Sequence, residues 1–369
     1  MKIICEKSEI LKGIRTVSKA VSVKSSMSII ECILIECSDD EIKLTANNME
    51  FGIETKIKGT IEEKGVVALE ARILQEIISH LSESDVTITT DSNNLTTIVC
   101  EKSKFNIVGR PGDDFPVLPD VEKNEPLIIS EYSFKEIVKQ TYFSVSESES
   151  NKMMSGELIE INNNKMTVTS LDGHRISIRK IELNYDHEDM KAVVPGKTLN
   201  EVTKIISGDT DKDIEIYFTD KHLLFEFDET RVVSRIIEGE YFKVNQMLSN
   251  DYETKFDINK KSFTECIERS TLLVKEGDKK PIIIDITDEN MELKINSTIG
   301  SLDENIDIEK EGRDIKIGFN PKFLIEALRV IDEEVITVYM VNPKAPCIIK
   351  DEKESYIYLI LPVNFNTIN

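Results

Sequence analysis

One short stretch of this sequence gathers three chemically active side chains around a single glycine. Residues 170–176 read Ser-Leu-Asp-Gly-His-Arg-Ile, so an acid (Asp172), an imidazole (His174) and a guanidinium (Arg175) lie close together. A strand-like alternation of apolar and polar residues precedes the stretch, and another follows it. Because glycine accepts a positive φ without steric cost, Asp-Gly predicts a tight turn. We therefore expect the three side chains at the tip of a hairpin.

Three interpretations of this turn are open on the residues alone. Asp172 and His174 could form the acid–base pair of a hydrolase. They could instead cap and brace the turn, which is the commoner role of polar residues at such a position. The turn could also be a docking site. A hydrolase would need a nucleophile, and the sequence has neither a Gly-x-Ser-x-Gly motif nor a glycine-rich phosphate loop.

Length and composition indicate several domains and a chain without membrane spans. The chain has 369 residues, which is longer than a chain that usually folds around one hydrophobic core, so two or three domains are expected. There is no apolar run of about 18 residues and no signal-peptide core, which predicts a cytoplasmic location and no membrane partner. The histidines and cysteines lie apart without metal-ligand spacing. We expect buried thiols, no metal site and no cofactor.

One structural plan recurs along the chain. Two kinds of amphipathic helix, flanked by strand-like runs, each appear three times about 125 residues apart, which is a common domain size. The first kind covers 8–21, 133–141 and 261–270, and the second covers 71–81, 197–206 and 321–331. The repeat predicts three α+β domains, 1–122, 123–248 and 249–369.

The charge is acidic overall but unevenly distributed. The formal net charge is −22, yet the predicted helices carry cations, which are densest on the first. These cations are Lys12, Arg15, Lys19, Lys24, Lys139, Lys197 and Lys204. They form either an ordinary solvated face or a surface that meets an anion. Because tryptophan is absent and aromatics make up only 6%, a single-strand binder is disfavoured, and weak contact with duplex backbone fits better.

Several stretches, taken together and in order, resemble one protein family. They are residues 29–35, 44–50, 113–119, 170–175, 194–197, 237–241, 317–322 and 358–363. With the threefold repeat, they make the chain resemble the bacterial DNA polymerase III β subunit, the sliding clamp, over essentially its full length. The resemblance implies three domains of the α+β DNA-clamp fold, closed into a ring as a homodimer. Helices would line the inside of the ring and antiparallel sheets its outside.

The function implied by this resemblance is that of a non-catalytic processivity factor. The ring would encircle double-stranded DNA without sequence specificity, after a clamp loader has placed it there. It would tether the replicative DNA polymerase α subunit and other proteins that carry a clamp-binding motif. Since topology retains such a ring, the cations above need contact the DNA only weakly. A peptide-binding scaffold that does not engage DNA is the remaining alternative.

The resemblance also implies a partner-peptide pocket between the second and third domains. An apolar peptide needs a groove of aliphatic side chains with a few polar edges. The matching positions are Leu171, Gly173, His174, Arg175, Ile176, Phe242, Gln246, Met247, Leu359, Leu361, Pro362 and Val363. His174 and Arg175 would orient the peptide or brace the groove. The chain departs from the family pattern at Phe242, Gln246 and Asn364, which leaves the preferred partner open.

A second implied contact joins the first domain of one subunit to the third domain of its partner. Opposite charges across such a contact would fix its register. The matching positions are basic Arg72, Lys102 and Lys104, apolar Leu272 and Leu273, and acidic Asp303 and Glu304. Ordinary surface charge is the alternative for each of these residues.

Overall fold

The structure, a computed structural model, describes residues 1–22, 26–38, 40–148, 151–248, 251–274 and 280–365. Within these ranges the chain is α+β, as predicted. Its helices are α1 (Lys7–Val17), α2 (Ala71–His80), α3 (Glu131–Tyr142), α4 (Gly196–Ile205), α5 (Lys260–Thr271) and α6 (Pro321–Val330). None of the described helices has the length and apolar character needed to cross a membrane.

In the described parts of the chain, five strands lie between α1 and α2 and five between α5 and α6, whereas two long strands lie between α3 and α4. In chain order the strands are β1 (Lys2–Glu6), β2 (Cys32–Ser38), β3 (Glu41–Asn47), β4 (Phe51–Ile57), β5 (Thr60–Glu63), β6 (Gly65–Glu70), β7 (Asp85–Thr90), β8 (Leu95–Cys100), β9 (Ser103–Val108), β10 (Leu127–Ser130), β11 (Gly156–Leu171), β12 (Arg175–Pro195), β13 (Asp213–Phe218), β14 (His222–Phe227), β15 (Thr230–Arg235), β16 (Thr254–Asn259), β17 (Ile282–Thr287), β18 (Asn290–Asn296), β19 (Ser301–Asp307), β20 (Glu309–Gly312), β21 (Ile315–Phe319), β22 (Val335–Met340), β23 (Cys347–Lys350) and β24 (Tyr356–Ile360).

The predicted helices all form, with one change near the N-terminus. The first was expected to run through residue 21, but α1 ends at Val17 and a 3₁₀ turn, Ser18–Ala20, follows. The Ser18 hydroxyl donates to the Ile14 carbonyl at 2.6 Å, and the chain tightens into i→i+3 bonding there. Lys19 therefore lies on this turn and not on the helix itself.

The first compact unit contains Met1–Phe134 and Glu201–Ile236. It holds a five-stranded sheet, β5-β1-β7-β8-β9, and an eight-stranded sheet, β10-β13-β14-β15-β4-β3-β2-β6. Helices α1 and α2 lie side by side, and α1 packs on β3 and β4. β15 pairs antiparallel with β4, placing Ser234 opposite Phe51, so strands from distant parts of the chain form one sheet.

The second unit contains Lys135–Asn200 and Ile237–Asn369. It holds a seven-stranded sheet, β11-β12-β24-β23-β22-β16-β20, and a four-stranded sheet, β19-β18-β17-β21. β12 pairs antiparallel with β24, which places Ile176 opposite Leu359. Residues of the predicted central segment, 123–248, take part in both units, and the predicted domain boundaries stay a prediction. The prediction of buried thiols is confirmed, because all six cysteines are buried and free.

A carboxyl group is buried in the core of the second unit. Glu157, the second residue of β11, is 0% exposed. One of its oxygens accepts the Thr141 hydroxyl, and the other has no hydrogen-bond partner within the described chain. Burial disfavours the charged form and raises the pKa of Glu157 to about 8, although the Thr141 hydrogen bond opposes the shift. The folded protein therefore holds this group as the neutral acid at neutral pH.

The buried acid predicts a pH-dependent stability. The pKa of a carboxyl is about 4.5 in the unfolded chain, so between that pH and about 8 the folded state binds a proton that the unfolded state lacks. The free energy of unfolding should fall as pH rises through this window and level off above it. Glu157→Gln should reduce the fall in melting temperature between pH 5 and pH 8.5 by roughly 3 °C or more.

The matched control is Glu160→Gln, on the same strand, whose carboxylate pairs with Lys191 at the surface. It should keep the pH slope of the unchanged protein. An identical slope for Glu157→Gln and the unchanged protein, measured by differential scanning calorimetry, would show that Glu157 titrates normally.

Candidate functional site

The Asp-Gly turn joins β11 to β12, as the sequence predicts. The Asp172 Oδ1 atom accepts the backbone N–H groups of His174 and Arg175, at 2.9 and 3.2 Å. Gly173 has φ +88°, and no atom lies within 4 Å of the position that a Cβ would occupy. The backbone conformation, and not a lack of space, is what favours glycine here. The turn leaves His174 exposed at its tip.

Arg175 is buried and fully occupied by contacts within the protein. Its Nε donates to Asp172 Oδ2 at 2.9 Å, and its terminal nitrogens bind the Glu326 carboxylate and the Phe143 carbonyl. The guanidinium carbon lies 4.6 Å from the Phe323 ring centroid and 5.3 Å from that of Phe143. These contacts correspond to the bracing role that was expected of this side chain.

His174 and Asp172 do not form a catalytic pair. The Asp172 carboxylate is engaged by backbone N–H groups and Arg175, and within the described chain no hydrogen bond joins it to the His174 ring. That ring instead lies tilted against Phe323, with the ring centroids 5.8 Å apart. The geometry disfavours the hydrolase interpretation and favours a braced turn beside a surface.

Apolar side chains from three segments meet next to this turn. Leu171, Ile176 and Leu359 are buried in one cluster, and Phe242 packs against it half-buried. Phe242 is held edge-on to Tyr241, with ring centroids 5.6 Å apart. We call this cluster and its exposed rim the apolar groove.

The connecting segment beside the groove is fixed from beneath by Tyr241. Its hydroxyl lies 3.3 Å from both the Gly156 and the Thr169 carbonyls, and its side chain is buried. Gln246 and Met247, farther along this segment, are exposed, with Met247 50% accessible. The segment thus presents a flexible thioether and an amide at the surface.

The segment that follows β24 runs past the turn. The Leu361 N–H donates to the His174 carbonyl, and the Val363 N–H donates to the Gly318 carbonyl, both at 2.8 Å. Leu361 is 37% exposed, whereas Pro362 and Val363 are half-buried. Leu361 is therefore held, with its side chain exposed, beside the braced turn.

Sequence reasoning missed the residues that hold the turn from the other side. Phe323 and Glu326 lie on α6 and Phe143 follows α3, and all three touch Arg175. Glu326 is 151 positions from Arg175 along the chain. No local spacing could indicate that contact, and the one available signal is the recurrence of a helix in that part of each repeat.

The first unit carries a cleft lined by basic residues. Lys12, Arg15, Lys19 and Lys204 all line this cleft of about 780 Å³. Within the described residues, the α1 cations Lys12 and Arg15, and Lys19 on the following turn, have no carboxylate partner within 4.0 Å. Lys204 pairs with Glu201 at 2.7 Å. Unpaired cations in a strongly acidic protein leave charge available for an external anion.

The other predicted cations are placed differently. In the second unit, Lys139 pairs with Glu136 at 3.2 Å and Lys197 is exposed. Lys24 lies outside the described residues. Among the predicted cations that lie within the described residues, most of those without an ion-pair partner are therefore on or next to the N-terminal helix.

Two sheet edges carry most of the residues predicted for the subunit contact. β9 forms one edge of the five-stranded sheet, with Lys102 just before it and Lys104 within it, both exposed. Phe105 and Val108 of this strand are 39% and 79% exposed. An edge strand with unpaired backbone groups and exposed apolar side chains is a template for pairing with another chain. Arg72 is exposed on α2.

The other edge is β19, which bounds the four-stranded sheet. Asp303 is exposed on it, and Glu304 accepts a hydrogen bond from Arg269 at 3.0 Å, which lowers the pKa of Glu304. Leu272, just after α5, is 77% exposed, whereas Leu273 packs against the core. One exposed leucine and one exposed carboxylate thus accompany this edge.

Family models match nearly the whole chain in three consecutive segments. They are described as the N-terminal domain (1–119), the central domain (128–243) and the C-terminal domain (245–364) of the DNA polymerase III beta subunit. The chain belongs to the DNA polymerase III beta subunit family. The recognition made from the motifs, and with it the clamp fold, is confirmed.

Relatives of this beta subunit agree with that assignment. A protein of Staphylococcus epidermidis named "Beta sliding clamp" is 33% identical over 356 residues, 94% of each chain. A solved DNA polymerase sliding clamp of Bacillus subtilis is 30% identical with a TM-score of 0.95 over 99% of both chains. A structure assigned to the same subunit from Eubacterium rectale is 61% identical, with a TM-score of 0.97 over the full length of both.

The contacts of Arg175 predict a large effect on stability. Arg175→Met would remove a buried guanidinium and leave the half-buried carboxylates of Asp172 and Glu326 without it, at a cost of about 3 kcal/mol in the free energy of unfolding. Urea unfolding followed by circular dichroism measures this cost. Arg329→Met, which breaks an exposed ion pair with Glu268, is the matched control and should change the midpoint little. Equal midpoints for the two variants would contradict the bracing role.

Proposed function

We infer that this protein is a sliding clamp, the processivity factor that keeps a replicative DNA polymerase on duplex DNA. Membership of the beta subunit family along nearly the whole chain carries this conclusion. The protein is a non-catalytic accessory subunit. Its chemistry is that of surfaces: one that faces DNA, one that closes the assembly, and one that holds partners.

The proposed DNA surface is built around α1. The unpaired charges of Lys12, Arg15 and Lys19 would meet phosphate oxygens, which carry no sequence information. Lys24, Lys139, Lys197 and Lys204 would add weaker contacts. A few screened contacts allow sliding, whereas a strongly basic surface would hold the protein at one place.

The proposed assembly is a homodimeric ring. β9 of one protomer would meet β19 of its partner, so that Lys102 and Lys104 face Asp303 and Glu304, with Arg72 nearby. Leu272 and Leu273 would supply the apolar centre, for which the 77% exposure of Leu272 is the main support. Backbone pairing at two unpaired edges would satisfy groups that otherwise face water.

The proposed partner site is the apolar groove. A short peptide would place an aliphatic or aromatic side chain between Leu361 and Met247, over the buried floor of Leu171, Ile176 and Leu359. Phe242, Gln246, Pro362 and Val363 would line its rim, with His174 at one end, while Gly173 and Arg175 keep the turn in shape. The occupants would be the polymerase α subunit, other clamp-binding-motif proteins and the clamp loader, all in the cytoplasm.

The first measurement is retention on closed circular duplex DNA with a clamp loader and ATP. Protein loaded on the circle should stay bound through gel filtration and should be lost once a restriction enzyme linearises the DNA. The physical reason is that a topological link, unlike a direct contact, ends when free ends appear. Equal retention on both forms would mean ordinary DNA binding and would contradict the clamp.

Two variants separate the proposed surfaces in the same assay. Reversal of Lys12, Arg15 and Lys19 to glutamate should reduce loading, and undiminished loading would favour the peptide scaffold without DNA contact. Leu272→Glu should sediment as a monomer and fail to remain on the circle, whereas Val335→Glu, at a 57% exposed aliphatic position on the other sheet of the unit, should remain a dimer. A persistent Leu272→Glu dimer would place the subunit contact elsewhere.

The groove makes a separate prediction. Replacing Leu361 and Val363 by alanine removes an anchor and part of the wall, so the dissociation constant of a polymerase-tail peptide should rise roughly tenfold or more. Fluorescence anisotropy measures this change. Val335→Ala, an exposed aliphatic position of the same unit, is the control. An unchanged constant for the double variant would contradict the assignment.

A further inference from the structure

The first unit contains a turn with the same hydrogen bonds as the turn at the apolar groove. Between β3 and β4, the Asn48 Oδ1 atom accepts the N–H groups of Glu50 and Phe51, each at 3.0 Å. Met49, in the place of the turn glycine, has φ +74°. A non-glycine residue in this conformation is uncommon, and here the asparagine side chain holds the turn.

The strand beside this turn is also attached in the same way. The Arg235 N–H, at the end of β15, donates to the Glu50 carbonyl at 2.9 Å. In the second unit the Leu361 N–H, just past β24, donates to the His174 carbonyl at 2.8 Å. Each turn thus lies beside the end of a strand that pairs with it across the sheet.

A connecting segment completes the correspondence. Phe115 is buried against Cys32 and Ala68, as Tyr241 is buried in the cluster of the second unit. The Asn47 side chain donates to the Pro116 carbonyl at 3.1 Å and fixes the segment over β4. Val117, the next residue, is left 88% exposed.

These parts enclose a cleft with an apolar rim. The cleft has a volume of about 70 Å³, and its lining includes Met49, Glu50, Val117, His222 and Arg235. The Leu118 side chain occupies the space above Gly52 and limits the depth. The remaining space admits one short side chain, with Met49, 42% exposed, at its mouth.

The cleft is electropositive at one side. Arg235 and His222 line it and Lys221 is adjacent. Within the described residues, neither Arg235 nor Lys221 has a carboxylate within 4.0 Å. Burial and the charges of Arg235 and Lys221 lower the pKa of His222, so both cations act at this place. Glu50 is the acidic residue among the lining, in a protein whose net charge is −22.

We propose that this cleft is a second docking site, for a protein segment in which an aliphatic side chain stands next to an acidic residue. The aliphatic group would enter between Met49 and Val117, and the carboxylate would bind Arg235 and Lys221. Charge complementarity selects an acidic segment, since a basic one would meet two unpaired cations. The inference rests on the proposed function in one respect: a peptide ligand is expected here because the apolar groove, which has the same backbone construction, is proposed to bind one.

Binding at the two sites can be measured separately by NMR, because each site has an exposed methionine, Met49 here and Met247 at the apolar groove. The full-length protein is labelled with ¹³C-methyl methionine, and the Met49 and Met247 signals are assigned with Met49→Leu and Met247→Leu. The probes are acetyl-Asp-Leu-Asp-amide and acetyl-Lys-Leu-Lys-amide, titrated to about 10 mM because so small a ligand binds in the millimolar range. The Met49 signal should move with the acidic peptide and not with the basic one.

The charge requirement is tested with Lys221→Gln/Arg235→Gln, two exposed positions, whose folding is checked by calorimetry. The double variant should bind the acidic peptide about tenfold more weakly at Met49. Three outcomes would overturn the proposal. The Met49 signal does not shift with the acidic peptide, it shifts equally with both peptides, or its shift is the same in the double variant. A shift with protein concentration alone would also overturn it, in favour of a second copy. Movement of Met49 without Met247 supports this site independently of the apolar groove, which the polymerase-tail peptide tests.

Discussion

The antiparallel pairing of β12 with β24 is the interaction on which the apolar groove depends. It places the turn after β11 next to the last strand, although about half of the chain separates them in sequence. Backbone hydrogen bonds fix the register, and both faces of β24 are buried, with Leu359 in one core cluster and Tyr358 and Ile360 in another. A shift of β24 by one residue would exchange these two faces. Leu359 could then no longer pack with Ile176, and the floor of the groove would be lost.

The pairing of β15 with β4 repeats this arrangement of a turn beside a strand end, but with different side chains at the surface. Arg175 of the second unit corresponds to Phe51 of the first, and Ile176 corresponds to Gly52. One turn is therefore braced by an ion-paired guanidinium, and the other by a buried ring. Repetition of a backbone plan with altered side chains changes what each surface can bind without changing how it is built.

Ion pairing, more than the net charge, decides where positive charge is available on the surface of this protein. Lys204 and Lys139 form ion pairs with acids on their own helices, whereas Lys12 and Arg15 form none with the described residues. An exposed pair contributes little to stability but removes a charge from the surface potential. A chain with net charge −22 can thus present a locally basic cleft for weak contact with phosphate, as the clamp function requires.

The sequence by itself determined the α+β class, the recurrent helices, the hairpin at Gly173 and the family. Each of these follows from local patterns: apolar period, turn chemistry, or motifs in a fixed order. The residues expected at the groove were obtained only through the resemblance. Nothing local distinguishes Leu361 as exposed from Leu359 as buried, because residues two apart lie on the same face of a strand.

Only the tertiary structure decided which side chains hold that site together. Glu326 and Phe323 reach Arg175 from α6, Glu157 is left buried beneath Thr141, and Lys19 falls on a 3₁₀ turn. The sequence alone also gave no sign that the turn at Asn48, beside Arg235, repeats the turn at Asp172. Asparagine and methionine stand there in place of aspartate and glycine. Contacts between residues far apart in sequence depend on strand register and helix packing, which local patterns do not encode.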